Sequence, residues 1–341
     1  MVSVNTAHLA GIRLSIPLHS PFVTAGASID SRDVVLVRAS NTHQAGWGEA
    51  APFPGQDESM DALLASTQED EPTPTLFAAI DESLADLDAR TREQPLLPHR
   101  SGSLPMCVAV GIDDALTIVD QHVEAGITRF KVKIAPARIG HVRAIRARYP
   151  EVLLAVDGNG SFGAGRMAEL ESLSSVGVEL AEELFDEWQS HEVLQFSERT
   201  GIPLFADESV RSLADVQRLL SLPGVDGITI KPGRLGWGGA LTARDLAVAA
   251  GKRWRASGLL ETGIGRSFTN LLAAQDGADM SDVADARLFL ADDVTDPAAE
   301  SGDILLPSGP GIGVSPDAEL IDRYAVEEFS LGEWTLQPAP G

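Results

Sequence analysis

Apolar residues change their spacing twice along this chain, and the two changes divide it into three stretches. Over residues 1 to about 60 the pattern is strand-like. Leu9 to Ile16, Asp33-Val34-Val35-Leu36-Val37-Arg38 and Ala45-Gly46-Trp47-Gly48-Glu49 are short runs punctuated by Gly, Pro, Ser and Asn, which predicts a small antiparallel meander. From Asp57 to Arg92 the spacing turns helical. Leu63 and Leu64 mark a first helix, and Leu76, Ala79, Ile80, Leu84 and Leu87 repeat at i, i+3, i+4 in a second, beyond the acidic, proline-containing piece 68–75. Two segments, Pro21-Phe22-Val23-Thr24-Ala25-Gly26 and Ala51-Pro52-Phe53-Pro54-Gly55, read as loops too apolar for idle linkers. Such loops either tuck under a domain or cover a ligand.

A proline-rich link, 95–105, precedes the second change. From Leu104 onward, short apolar runs near 104–110, 128–134, 152–157, 178–182, 202–206, 225–230 and 254–260 alternate with helical stretches. Asp113 to Ala125, Pro136 to Arg148, Leu213 to Leu220 and Ala240 to Ala250 are examples of the latter. This alternation is the signature of a parallel α/β fold, and seven or eight units spaced by about 24 residues favour a closed barrel over an open doubly wound sheet. The Rossmann alternative lacks a GxGxxG after the first strand of the series. After Gly302 the rhythm is lost. The expected organisation is an α+β capping domain over 1–103, a modified TIM barrel of (β/α)7β type over 104–303, and a C-terminal segment over 304–341 that returns to the capping domain.

Composition narrows the partners. A formal charge of -24, from 50 acidic against 26 basic residues, argues against nucleic acid or an anionic membrane, both of which need a basic surface. The single cysteine, Cys107, lies in the apolar run Leu104 to Val110, so it reads as a small core residue and forms no internal disulfide, which suits a reducing cytoplasm. Met1 to Ile16 carries Asn5, His8 and Arg13 in place of a signal-peptide core, and no apolar run reaches spanning length. A cytoplasmic protein is expected; no sequence feature specifies an oligomeric state.

The chemistry begins in Phe130-Lys131-Val132-Lys133-Ile134-Ala135. Strand side chains alternate with period two, so Lys131 and Lys133 point the same way. Adjacent ammonium groups repel and lose solvation, and something anionic should face them. Three consecutive strands then end on carboxylates: Asp157, Glu182 and Asp207, at intervals of 25 and 25 residues; Lys231 ends the next strand, 24 residues further on. In a barrel these positions stand side by side at the C-terminal mouth, where such folds place their chemistry. Three carboxylates packed together repel unless a cation neutralises them, and three hard oxygen ligands without His or Cys point to Mg²⁺ or Mn²⁺. Alternation puts Glu182 on the face of Leu180 and Val178, and leaves Glu179 exposed.

A carboxylate chelated to such a cation has an acidified α-proton, because the enediolate gains charge beside the metal. With Lys131 and Lys133 on one side and Lys231 on the other, a bound molecule would lie between amines. Lys133 is the expected base, with Lys131 the neighbour that depresses its pKa and binds the carboxylate.

KxK on strand two, Asp157-x-Asn159 on strand three, Glu182 on strand four, Asp207-Glu208 on strand five and Lys231 on strand six together resemble the enolase superfamily, muconate-lactonizing subgroup. That superfamily is a known case of a Lys or His base acting with Mg²⁺. The likeness extends to Gly46-Trp47-Gly48-Glu49-Ala50 and to Ala78 through Arg90, which are similar to its capping domain. It implies that Phe22 and Phe53 cover the substrate, that Asn159 contacts it, and that Glu208 supports the metal ligands. Ile230 to Gly236 and Ser257 to Arg266 look like o-succinylbenzoate synthases and N-succinylamino acid racemases. In those families the strand-seven segment and the loop after it contact the succinyl end, which implicates Ser257, Gly258, Glu261, Gly263 and Ile264. Trp237 interrupts the usual glycine pair after strand six, and Arg253-Trp254-Arg255 replaces an apolar start to strand seven. A dipeptide epimerase is expected to carry Asp-x-Asp on strand eight, where Asp292-Asp293 stands instead, and no histidine supplies a mandelate-type base. The resemblance implies Mg²⁺-dependent o-succinylbenzoate synthase chemistry, a dehydration in menaquinone synthesis, with N-acylamino acid racemization as the alternative and muconate cycloisomerization third.

Overall fold

The computed structural model describes residues 6–23, 28–69, 71–98, 102–163 and 165–335. The meander forms as β1 (Thr6–Val23), β2 (Ser28–Ser40) and β3 (Ala45–Ala50), all antiparallel. Pro21 to Val23 belong to β1, with Phe22 and Val23 paired back onto β2, so they are strand and not loop; Thr24, Ala25 and Gly26 lie outside the described residues. Two helices follow, α1 (Met60–Ser66) and α2 (Pro74–Thr91). Alternation along β2 gives the sheet two apolar faces. Val35, Val37 and Ala39 pack with Leu76, Ala79, Ile80 and Leu87 of α2, whereas Val34 and Leu36 join Ile12, Leu14 and Ile16 in the core shared with the parallel strands. The Gly-Trp-Gly of β3 is there for close approach. A Cβ on Gly46 would stand 2.2 Å from Leu87 N, and one on Gly48 2.1 Å from Ala79 O, so only glycine lets α2 lie this near the strand.

Then comes the alternation: β4 (Ser103–Pro105), β5 (Cys107–Val110), α3 (Ala115–Glu124), β6 (Arg129–Lys133), α4 (Gly140–Arg148), β7 (Leu153–Asp157), α5 (Met167–Glu171) and β8 (Val178–Glu182). It continues through α6 (His191–Thr200), β9 (Leu204–Ala206), α7 (Leu213–Leu220), β10 (Gly227–Ile230), α8 (Pro232–Ala249), β11 (Arg253–Ala256) and α9 (Gly263–Ala273). Strands β5 to β11 form one parallel sheet in sequence order. The eighth position belongs to 278–283. Trp254 and Ser257 bridge in parallel to Ala278 and Asp282, and on the other side Cys107 N donates to Val283 O at 2.8 Å, so the sheet curls back to its first long strand.

Several boundaries differ from the sequence expectation. Strand seven ends at Ala256 and not near 260, and Asp292-Asp293 lie in a turn beyond the eighth position. Helix α4 starts at Gly140, because an Ala135–Arg138 turn intervenes after Pro136. Helix α8 starts at Pro232, immediately after Lys231, with its first turns set off by a kink at Gly236; proline suits such a first turn. The last described elements are β12 (Ala299–Glu300), which pairs with β13 (Asp303–Leu305), itself paired with β4, then α10 (Ala318–Tyr324) and β14 (Ala325–Thr335), which pairs antiparallel with β1. Among the described residues no helix is long and apolar enough to cross a membrane.

Candidate active site

Parallel register places the key side chains. Lys133 is opposite Asp157, and Asp157 is opposite Glu182; Asp207 follows β9 directly, and Lys231 follows β10. Asp157, Glu182 and Asp207 are buried, and each offers a carboxylate oxygen within 4.8 Å of the others. A cavity between the strand ends and the first sheet is lined by Phe53, Gln56, Lys131, Lys133, Asp157, Asp207, Glu208, Lys231, Gly258, Leu259, Leu260, Arg266, Asp282 and Phe289, among others.

The anion that the lysine pair required is the carboxylate set itself. Lys131 Nζ lies 3.6 Å from Asp157, 3.2 Å from Glu182 and 2.8 Å from Asp282. Burial opposes its charge, but Asp282, Glu182 and Asp157 outweigh that and hold the ammonium well above the ordinary lysine range. Lys133 Nζ donates to Asn159 Oδ1 at 2.6 Å and to Asp157 Oδ2 at 3.2 Å. Lys231 ion-pairs with Asp207. Burial pushes the Asp157 carboxyl up while Lys133 and Lys131 pull it down, leaving it at about 2. Asp207 is likewise lowered, with Lys231 and Lys131 overcoming desolvation. This keeps Asp157 and Asp207 in the ionised form that a metal needs.

The two glutamates at the end of β8 divide their work. Glu182 points into the barrel, where it accepts from Thr229 Oγ1 and faces Arg255 Nη1 at 3.4 Å. Glu183 turns the other way and accepts from Asp207 N at 2.6 Å and from Ser209 Oγ, bracing the backbone of a triad member; burial pushes its carboxyl up to about 7. Glu208 accepts from Asn159 Nδ2 at 2.7 Å and Gln56 Nε2 at 3.1 Å, and burial together with the charges of Asp207 and Asp157 raises it to about 8.

These residues meet as one site, and the comparisons with known proteins agree on its kind. Residues 115–320 match the family model described as Enolase C-terminal domain-like. An N-succinylamino acid racemase of Amycolatopsis sp. is 30% identical, covering 94% of this chain and 97% of the relative. The chain belongs to the enolase superfamily. An o-succinylbenzoate synthase of Geobacillus kaustophilus is 27% identical, covering 95% of this chain and 96% of the relative. The solved N-succinyl Arg/Lys racemase of Bacillus cereus ATCC 14579 superposes with a TM-score of 0.88 over 96% of this chain and 99% of its own, at 17% identity, a likeness of fold. Enolase-superfamily enzymes bind a divalent metal and act on small carboxylates, and the Asp157, Glu182 and Asp207 oxygens could hold such an ion.

Of the residues that the superfamily pattern implicated for substrate, Phe53 and Gly258 line the cavity. Asn159 sits between Lys133 and Glu208, oriented towards both. Ser257 is buried and reaches Asp282 at 3.3 Å; Glu261 is buried beside Arg266 at 3.4 Å; Gly263 N donates to Asp293, and Ile264 is fully buried. None of these four is among the residues that line the cavity. Phe22 pairs with Ile29 at the end of β1, and its side chain lies outside the described residues.

Sequence reasoning missed Asp282 and Arg255. Asp282 stands on a segment held by bridges alone, too irregular to read as a strand. Burial opposes its ionisation, but Lys131, Arg255 and Arg266 hold its carboxyl far below the usual range. Arg255 had a signal. Period two along Arg253-Trp254-Arg255 sends Trp254 outward into the core shared with the helices and Arg255 into the barrel, where it is fully buried against Glu182. Trp237 packs edge-on to Phe268 at 5.6 Å between α8 and α9, away from the cavity lining. Cys107 is buried in the barrel interior, its thiol pushed up to about 12 by desolvation, which makes it inert.

Proposed function

We propose that this protein is a Mg²⁺-dependent o-succinylbenzoate synthase, a hydro-lyase that dehydrates a succinyl-hydroxycyclohexadiene carboxylate to an aromatic acid in menaquinone synthesis. The observation that carries the reading is the asymmetry of the two amines. Lys133 reaches the cavity with its nitrogen fixed by the neutral amide of Asn159 as well as by Asp157, whereas Lys231 is paired to Asp207 as a counterion.

Asp157, Glu182 and Asp207 would hold the metal, which when bound supplies positive charge beside the substrate carboxylate and so acidifies its α-proton. Lys133 takes that proton and returns it to the departing hydroxyl on the same face, releasing water. Lys231 remains an ammonium and balances charge developing on the ring. Lys131 keeps Asp157 and Glu182 in register with Asp282 beneath the reacting centre. Asn159 fixes the direction of the Lys133 lone pair through a 2.6 Å hydrogen bond, and Phe53 and Leu260 help exclude water from the cavity.

N-succinylamino acid racemization is the second reading, favoured by the Amycolatopsis relative and by the presence of both lysines in one cavity. There Lys133 and Lys231 would act as bases on opposite faces. Incubation with the cyclohexadiene acid, and separately with an N-succinyl amino acid, in D₂O decides between them. Aromatization with little α-deuteration of the second compound is expected; rapid deuteration with slow dehydration sinks the synthase reading.

A thermal readout tests the metal without turnover. Mg²⁺ or Mn²⁺ at 100 times its dissociation constant is expected to stabilise the protein by about 2.7 kcal/mol and raise Tm. Asp207→Asn is expected to abolish that shift. A cation-dependent rise of the same size in Asp207→Asn would show that the ion binds elsewhere.

A further inference from the structure

The first sheet and the barrel meet at one buried guanidinium. Arg32, on β2, is 2% exposed. It donates from Nη1 to Pro52 O at 2.8 Å and from Nη2 to Ala51 O at 2.5 Å and Leu259 O at 3.0 Å. Ala51 and Pro52 lead out of β3 to Phe53, while Leu259 belongs to the loop between β11 and α9. Phe53 and Leu259 both line the active-site cavity. The guanidinium carbon also stands 5.6 Å from the centroid of the Phe53 ring.

As a device for stability alone this arrangement is a poor one. Among the described residues the hydrogen bonds of Arg32 go to carbonyls and not to carboxylates. Burial lowers its pKa, with the charges of Glu49, Glu261, Asp57 and Asp33 offsetting part of that. A buried charge without a close counterion costs more than a packed apolar side chain would. What the planar fork offers instead is fixed geometry: several donors at set angles, able to hold two chains at one separation. Lysine has no such fork.

We propose that Arg32 is a positioning residue for the active site: its guanidinium ties the loop at 51–53 to the loop at 259–260 and thereby sets the spacing of two cavity walls. The inference rests on the reading that this cavity holds the substrate carboxylate, and it assigns to a residue of the first sheet, outside the superfamily's lysine and carboxylate motifs, control over how closely the cavity fits.

Arg32→Ala and Arg32→Lys test it, assayed with whichever acid the enzyme turns over. Both are expected to raise KM by roughly 10- to 100-fold with kcat within about threefold, since misplaced walls weaken binding while leaving the lysines in place. Guanidinium chloride at low concentration is expected to restore KM in Arg32→Ala, and an alkylammonium salt is not. Wild-type KM in Arg32→Lys, or no preference for guanidinium, would overturn the proposal. If neither variant folds, native-state hydrogen exchange on the wild-type chain decides. Amides of 51–57 and 258–262 are expected to open together with one shared denaturant dependence; separate openings would overturn the clamp. Exchange needs no substrate, so a failed clamp and a failed activity are distinguished.

Discussion

Lys133→Ala is expected to lower both product formation and α-proton exchange by roughly 10²- to 10⁴-fold, the range over which a positioned general base contributes. The amine is on β6 beside Asp157, and its Nζ is held by Asn159 Oδ1 at 2.6 Å. Removing it leaves Asp157, Glu182 and Asp207 intact, so the Mg²⁺-dependent rise in Tm is expected to persist. That pairing of outcomes, lost exchange with retained metal response, separates a missing base from a collapsed site. Lys231→Ala sharpens the test. In a single-base dehydration it slows the reaction yet leaves Lys133-dependent exchange measurable, whereas in a racemase it removes exchange from one enantiomer. Unchanged turnover in Lys133→Ala would show that Lys133 is not the base.

Lys131→Met is expected to cost about 3–5 kcal/mol of unfolding free energy at neutral pH, measured in a chelator by urea titration, because it leaves buried carboxylates without their cation. Its Nζ touches Asp282, Glu182 and Asp157 at 2.8, 3.2 and 3.6 Å, and all three are buried. The sign with pH follows from the depressed Asp282 carboxyl and the raised Lys131 ammonium. A depressed acid contributes stability above its unfolded pKa, about 3.9, and loses it as pH falls; a raised amine contributes below its unfolded pKa, about 10.4, and loses it as pH rises. The pair therefore contributes fully between those limits. The deficit of Lys131→Met is expected to shrink below about pH 4, where the stranded carboxyls take up protons. Asp282→Asn in the Lys131→Met background should recover part of the loss at neutral pH. Equal losses at pH 3 and pH 7 would mean that the loss does not come from the lysine's charge.

Much of the site was legible in one dimension because a barrel converts spacing into position. Asp157, Glu182, Asp207 and Lys231 follow one another by nearly constant intervals, and each interval is one βα unit, so the periodic reading placed all four at the same mouth. Alternation chose Glu182 over Glu179, and the structure puts Glu182 in the triad, leaves Glu179 exposed and sets Glu183 behind Asp207. Failures fell where backbone regularity fails. The eighth position at 278–283 has bridges without a ladder, so Asp282 went unread and Asp292-Asp293 were placed on it instead. Arg253-Trp254-Arg255 looked like a departure because a hydrophobic count ignores which face is inside a barrel that carries charges at its centre.

By itself, then, the sequence determined the βα periodicity, the meander with its close-packing glycines, and the polar residues at the ends of strands two to six, since all of these are set by contacts local along the chain. The tertiary structure alone decided the ion-pair partners. Lys131 finds Asp282 and Arg255 finds Glu182, and Arg32 finds a carbonyl 227 residues away at Leu259. The physical reason is that a charge buried in a closed barrel, or between a barrel and a sheet, is satisfied by whatever the curvature brings opposite it, and curvature has no period in the sequence.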